Sequence, residues 1–121
     1  MRLKSDQEVY QSLATAQQQL EQGKAEIAYQ MVDKLISHTP TRGELYATAG
    51  EALLELGKIS KSITAYHQAI KHYPNYYLYQ LRLGELMMME GETLTAEQYL
   101  LNSINYSYIT IIHHSLRNRV S

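Results

Sequence analysis

The chain of 121 residues has no cysteine, no phenylalanine and no tryptophan, and only two prolines. Without a thiol there is no disulfide framework, no zinc-thiolate site and no cysteine nucleophile. No apolar run reaches the roughly 18 residues of a membrane span, and the N-terminus, MRLKSDQEVYQSLATAQQQ, lacks the apolar core of a secretory signal. The chain is therefore expected to be soluble and cytoplasmic. It also lacks an excess of either charge: 11 Lys and Arg stand against 12 Asp and Glu, for a formal net charge of -1. That balance argues against nucleic-acid binding, which needs a basic patch or stripe.

Candidate chemistry is equally sparse. The five histidines, His38, His67, His72, His113 and His114, include no i, i+4 pair that would place two metal ligands on one helix face. Asp6 and Asp33 are the only aspartates, and neither stands beside a nucleophile and a base in sequence. The glycines do not cluster into a phosphate-cradling loop. The chain is read as non-enzymatic, without a metal site or cofactor. Its length suits one domain, 1–121, with a core that needs no cross-links.

What is present is periodic. Gly23, Gly57 and Gly91 are equally spaced, and the same interval separates Gly50 from Gly84 and Pro40 from Pro74. A fixed period in the range of roughly 20 to 50 residues signals stacked repeats. Phased on the prolines, the units are 9–42, 43–76 and 77–110, with 111–121 left over. Each unit shows helical spacing interrupted near its middle. Tyr46, Ala49, Gly50 and Leu53 form one i, i+3, i+4, i+7 stripe, and Ser62, Tyr66, Ala69 and Ile70 form another after Gly57. Ser5 with Glu8, and Thr41 with Glu44, have the spacing of helix-starting capping boxes. Gly23, Gly57 and Gly91 are placed to stop the first helix of each pair in a left-handed conformation.

These features resemble the tetratricopeptide repeat family, whose unit has this same period and carries an aromatic, a Leu-Gly pair, a Tyr, then Ala, Phe and Pro at set positions. The second unit matches with Tyr46, Ala49-Gly50, Leu53, Ser62, Tyr66, Ala69 and Pro74. In the third, Leu83-Gly84, Met87, Ala96 and Leu100 agree, but Gln80 replaces the aromatic and Tyr108 the proline. The first is weakest in its opening helix, with Ser12, Thr15, Ala16 and Gln19, and recovers with Ala28, Val32, Leu35 and Pro40. The resemblance implies an all-α fold: a right-handed α-solenoid of three helix-turn-helix repeats with a short C-terminal capping segment. For that segment two readings stand. Ile109, Ile112 and Leu116 form an apolar stripe that caps the last helix, or Tyr106, Tyr108, Ile111 and Ile112 stay exposed and mediate self-association, giving a homodimer through the C-terminal end.

The family's concave surface is lined by the first helix of each repeat. The corresponding positions here are Tyr10, Leu13 and Gln17 in the first unit, with Ala14, Leu20 and Glu21. In the second they are Thr48, Glu51 and Leu54, with Glu44, Ala47 and Glu55. The third contributes Leu78, Leu81, Arg82, Glu85, Met88 and Met89. Some family members clamp a chaperone's C-terminal carboxylate with two Lys, two Asn and one Arg. The matching positions are Leu13, Gln17, Thr48, Leu78 and Arg82, and only Arg82 agrees, so no carboxylate clamp is implied.

An apolar, methionine-bearing groove instead suits a helical or extended apolar segment of a partner protein. The expected function is a protein-interaction module or adaptor. The alternatives are a dedicated cytoplasmic chaperone of a secreted subunit, similar to the type III secretion class, and a homodimerisation unit. The run LMMMEG at 86–91 divides accordingly: Met87 takes the core position of Leu53 one repeat earlier, whereas Met88 and Met89 fall at inward-facing positions. Tyr79 is open to two readings, packing and partner contact.

Overall fold

The computed structural model describes residues 5–120, with side chains to residue 117. Six helices follow one another: α1 (Asp6–Glu21), α2 (Ala25–His38), α3 (Gly43–Glu55), α4 (Ile59–His72), α5 (Tyr77–Met89) and α6 (Thr93–Val120). They are grouped in two compact units, Met1–Tyr73 and Pro74–Ser121. The helix starts repeat with the sequence period: Ala25, Ile59 and Thr93 open α2, α4 and α6 one period apart, and Gly43 and Tyr77 open α3 and α5 at the same interval.

The glycines make the turn within each pair. Gly23, Gly57 and Gly91 have φ of 79°, 76° and 82°. At the first of these turns the Lys24 amide donates to the Gln19 carbonyl at 2.8 Å and the Gly23 amide to the Leu20 carbonyl at 3.0 Å. The same two bonds recur at Lys58 and Gly57 and at Glu92 and Gly91. This pairing satisfies carbonyls that a helix end leaves free, and its left-handed residue costs a side-chain-bearing amino acid about 1 kcal/mol or more.

In the first unit the core is made of Val9, Leu13, Ala16, Val32, Leu35, Leu45 and Ala49, with Tyr29, Met31 and Ile36 packed against it. Helix α3 contacts α1, α2 and α4, so it buries more than the single stripe read from sequence: Leu45 and Ala52 are as buried as Ala49 and Leu53. In the second unit α5 packs along α6, with Leu83, Leu86, Met87 and Ala96 inside.

The two helices of a pair approach closely, and the residues at the crossing are matched in size. A Cβ built on Gly50 would lie 2.6 Å from the Tyr66 ring, and one on Gly84 would lie 2.7 Å from Leu100. The equivalent pair in the first repeat is Ala16 and Val32, both fully buried. Where the second helix brings Tyr or Leu, the first has glycine; where it brings the smaller Val, the first carries alanine. Ser62, at the family's alanine position, donates to the Gly50 carbonyl at 2.7 Å and so satisfies its buried hydroxyl.

Two sequence expectations are corrected. Ser5 does cap α1, accepting the Glu8 amide at 3.2 Å, but Thr41 does not cap α3. That helix starts at Gly43 with Arg42 at its N-cap and no side-chain bond, which leaves Thr41 one residue outside the capping position; Glu44 meets Arg42 instead, Nη1 to Oε1 3.4 Å. The C-terminal segment from 111 forms no separate element. It prolongs α6 to Val120, and residue 121 lies outside the described residues. Helices α2 and α4 stop at His38 and His72, shortly ahead of Pro40 and Pro74, where the restriction before proline ends a helix. Tyr108 stands where the third proline would, and the helix runs on through it.

Candidate functional site

The sequence-derived surface residues divide by burial. Leu13 is 6% exposed and Thr48 7%. Leu13 belongs to the first unit's core, and the Thr48 hydroxyl is turned onto the Glu44 carbonyl at 3.0 Å. Both leave little surface for a partner. Glu51 and Leu54 are half-buried, and the Tyr66 hydroxyl donates to the Glu51 carboxylate from the paired helix. Gln17 and Tyr10 are exposed.

Around Tyr10 the first unit carries a polar network that sequence reasoning missed. Arg42 pairs with Asp6 and, at 3.4 Å, with Glu44, and its guanidinium carbon lies 4.9 Å from the Tyr10 ring centroid. The hydrogen bond with Tyr10 is the largest factor raising the guanidinium's proton affinity; burial opposes it, and Asp6 and Glu44 reinforce it. Tyr73 joins the network through a hydrogen bond to Glu44. That bond, then burial, then the charges of Glu44 and Tyr10 push its phenol above the ordinary tyrosine range, with Arg42 acting in the opposite sense. Its ring lies over Gly43, where an added Cβ would come within 2.5 Å. The glycine before Glu44 in the sequence gave no hint of this, because the ring that needs the space arrives from the far end of α4.

In the second unit, α5 exposes Leu78, Met88 and Met89 and half-buries Leu81 and Arg82. Arg82 and the exposed Glu85 form an i, i+3 ion pair at 3.3 Å. The methionine run divides by burial as its spacing predicts: Met87 is 5% exposed, Met88 49% and Met89 58%. Tyr79 is buried edge-on against Tyr76, with ring centroids 4.6 Å apart, so packing accounts for it. Gln80 is also buried. Its Nε2 donates to the Pro74 carbonyl at 3.4 Å, while its buried Oε1 has no partner among the described residues.

A second feature of this unit is an open hollow of about 360 Å³ between Tyr77 and Leu81 of α5 and Ser103, Ile104, Ser107, Tyr108 and Ile111 of α6. Among the described residues, no group of three His, Asp or Glu side chains is arranged to hold a metal, and no helix is long and apolar enough to cross a membrane.

No protein-family profile matches the chain, and no curated protein matches it in sequence. Solved structures do match. PcrH in complex with the chaperone binding region of PopB superposes with a TM-score of 0.86 at 18% identity, covering 98% of this chain and 96% of that one. The complex of yeast Sti1 TPR2AB domain with pHSP90 gives 0.83 at 16% identity over 94% of this chain and 44% of that one. The MamA RS-1 ArsTM double mutant gives 0.80 at 17% identity over 84% of this chain. The chain spans 57% of that MamA structure's length. At these identities the likeness is one of fold: the chain has the all-α fold of tetratricopeptide repeat proteins.

Proposed function

We propose that the chain is a non-enzymatic, cytoplasmic interaction module that binds a helical or extended apolar segment of a partner protein through the exposed faces of its first helices. The observation that carries this reading is the outer face of α5. Leu78, Met88 and Met89 are held out of a core that has already taken Leu83, Leu86 and Met87. Flexible thioethers adapt to irregular apolar partners. The adjoining Arg82 and Glu85 supply polar contacts at the edge. In the first unit Tyr10, Gln17, Glu51 and Leu54 present a more polar surface, and the carboxylate of Glu51 favours a basic residue in the ligand. The even charge balance gives nucleic acid no comparable attraction.

The test is partner capture by the full chain and by a Leu78→Asp, Met88→Asp double variant. Both positions are exposed, so helix content and melting temperature stay near wild type while capture falls at least tenfold. Retained capture by a folded double variant places the binding surface elsewhere.

A second reading, a dedicated chaperone of a secreted subunit, is favoured by the near-complete mutual coverage with PcrH, whose structure contains the chaperone binding region of PopB. A chaperone's partner co-purifies with it at fixed stoichiometry and aggregates alone, whereas an adaptor's partner is soluble alone.

A further inference from the structure

The hollow of the second unit has a counterpart in the first. A shift of two whole repeats maps Tyr77, Leu81, Ser103 and Ile104 onto Val9, Leu13, Leu35 and Ile36. In the first repeat those four form the surface on which α3 lies, with Leu45 and Ala49 of that helix inserted into the same core. The seat that one helix pair offers to the next helix is thus filled in the first unit and open in the second. It is deepened by Ser103, a small residue where the first repeat has Leu35; its hydroxyl is satisfied on the Leu100 carbonyl at 2.7 Å.

The same helix that forms this seat also carries exposed apolar surface. Leu101, Ile104, Tyr108, Ile109, Ile111, Ile112 and Leu116 are all exposed. At about 100° per residue they fall within an arc of roughly 160°, which is the width of a buried helix face. Ile112 and Leu116 repeat the i, i+4 spacing with which Leu45 and Ala49 fill the first repeat's seat.

The charge pattern selects the occupant. Residues 98–116 contain no Asp, Glu, Lys or Arg, in a chain with 11 basic and 12 acidic residues. A charged partner helix finds no complement there, whereas residues 104–116 of a second copy bring no Asp, Glu, Lys or Arg to it. We infer that α6 is a homodimerisation helix: the 109–116 stretch of one chain occupies the hollow of the other, and the reverse contact is made simultaneously. An antiparallel arrangement about a two-fold axis near residue 110 sets Ile104 against the second copy's Leu116 and Tyr108 against its Ile112. Such a contact is isologous and closes at two chains.

Two measurements on the full chain test this. Sedimentation equilibrium at tens of micromolar gives twice the 13.9 kDa chain mass, and the Ile104→Asp, Ile111→Asp variant sediments at half the wild-type mass with unchanged circular dichroism. The chain lacks cysteine, so His113→Cys supplies a single spin-label site; two helices packed roughly 8 to 10 Å apart give an inter-chain distance of roughly 20 to 30 Å. A monomeric wild type overturns the inference and leaves the hollow to another protein. So does a dimer that survives the double substitution, or one whose labels lie far beyond that distance.

Discussion

The phenol of Tyr46 donates to the carbonyl of Pro40 at 2.7 Å, so the first residue of one helical stripe ties down the turn that precedes it. Its ring also stacks on His72, with centroids 5.5 Å apart. One repeat later Gln80 makes the same kind of bond to Pro74, but at 3.4 Å and with a buried amide oxygen that has no partner among the described residues.

The two sites respond oppositely to losing their polar group. Tyr46→Phe keeps the ring and removes one hydrogen bond, a loss of about 1 kcal/mol. Gln80→Leu removes a weak bond together with an unpartnered buried carbonyl, and raises stability by about 1 kcal/mol. Urea unfolding of the two variants checks both signs.

The crossing of α3 and α4 tolerates no side chain at Gly50. Gly50→Ala forces the Tyr66 ring from its place and costs about 2 kcal/mol or more. Combining it with Tyr66→Val recreates the Ala16 and Val32 pair of the first repeat. In a double-mutant cycle the two changes couple favourably by about 1 kcal/mol or more, so the double variant is more stable than the sum of the singles. Additive losses would mean that the ring and the glycine are not matched.

Tyr73 makes stability depend on alkaline pH. Its phenol is raised by the bond to Glu44, so the folded chain holds this proton more tightly than the unfolded chain. The resulting stability is fully present below the unfolded tyrosine value near pH 10 and is lost as pH rises through the higher folded value. Tyr73→Phe retains the ring over Gly43 and removes the titrating group. Its melting temperature therefore falls less steeply above pH 10 than that of wild type.

Tyr108→Pro restores the missing stop. It ends α6 near Tyr106, as Pro40 and Pro74 end α2 and α4, and removes about a dozen residues of helix from the far-ultraviolet signal. The core residues Leu83, Leu86, Met87 and Ala96 all precede the break, so the unit stays folded. An unchanged helix signal would show that something other than the missing proline sets the helix length.

Much of the fold was legible because its turns need particular residues. Gly23, Gly57 and Gly91 are left-handed, Pro40 and Pro74 close repeats, and their spacing alone locates the helix pairs. The length of α6 was visible in principle as the absence of proline at 108, though residues 111–121 read more easily as a separate cap. What sequence spacing did not convey was contact between distant residues. Thr41 and Glu44 have capping spacing, yet α3 starts at Gly43, under the ring of the distant Tyr73, with Arg42 at its N-cap. Leu13 and Thr48 occupy family surface positions, yet in this chain the packing of α3 on α1 and α2 buries one and the turn of α3 hides the other. The uncharged stretch 98–116 was plain in the sequence, but its meaning depends on the unfilled seat beside it.

Whether the exposed thioether face of α5 receives a partner's apolar segment is tested most directly by a photo-reactive amino acid. It is placed in turn at Met88, Met89 and Gln30, in cells that naturally make the protein. Gln30 is exposed on α2, the second helix of the first pair. A partner held on α5 gives one defined protein adduct from positions 88 and 89, cross-linked through an apolar segment, and none from position 30. Adducts from Gln30 alone, or the same adducts from all three positions, would contradict it.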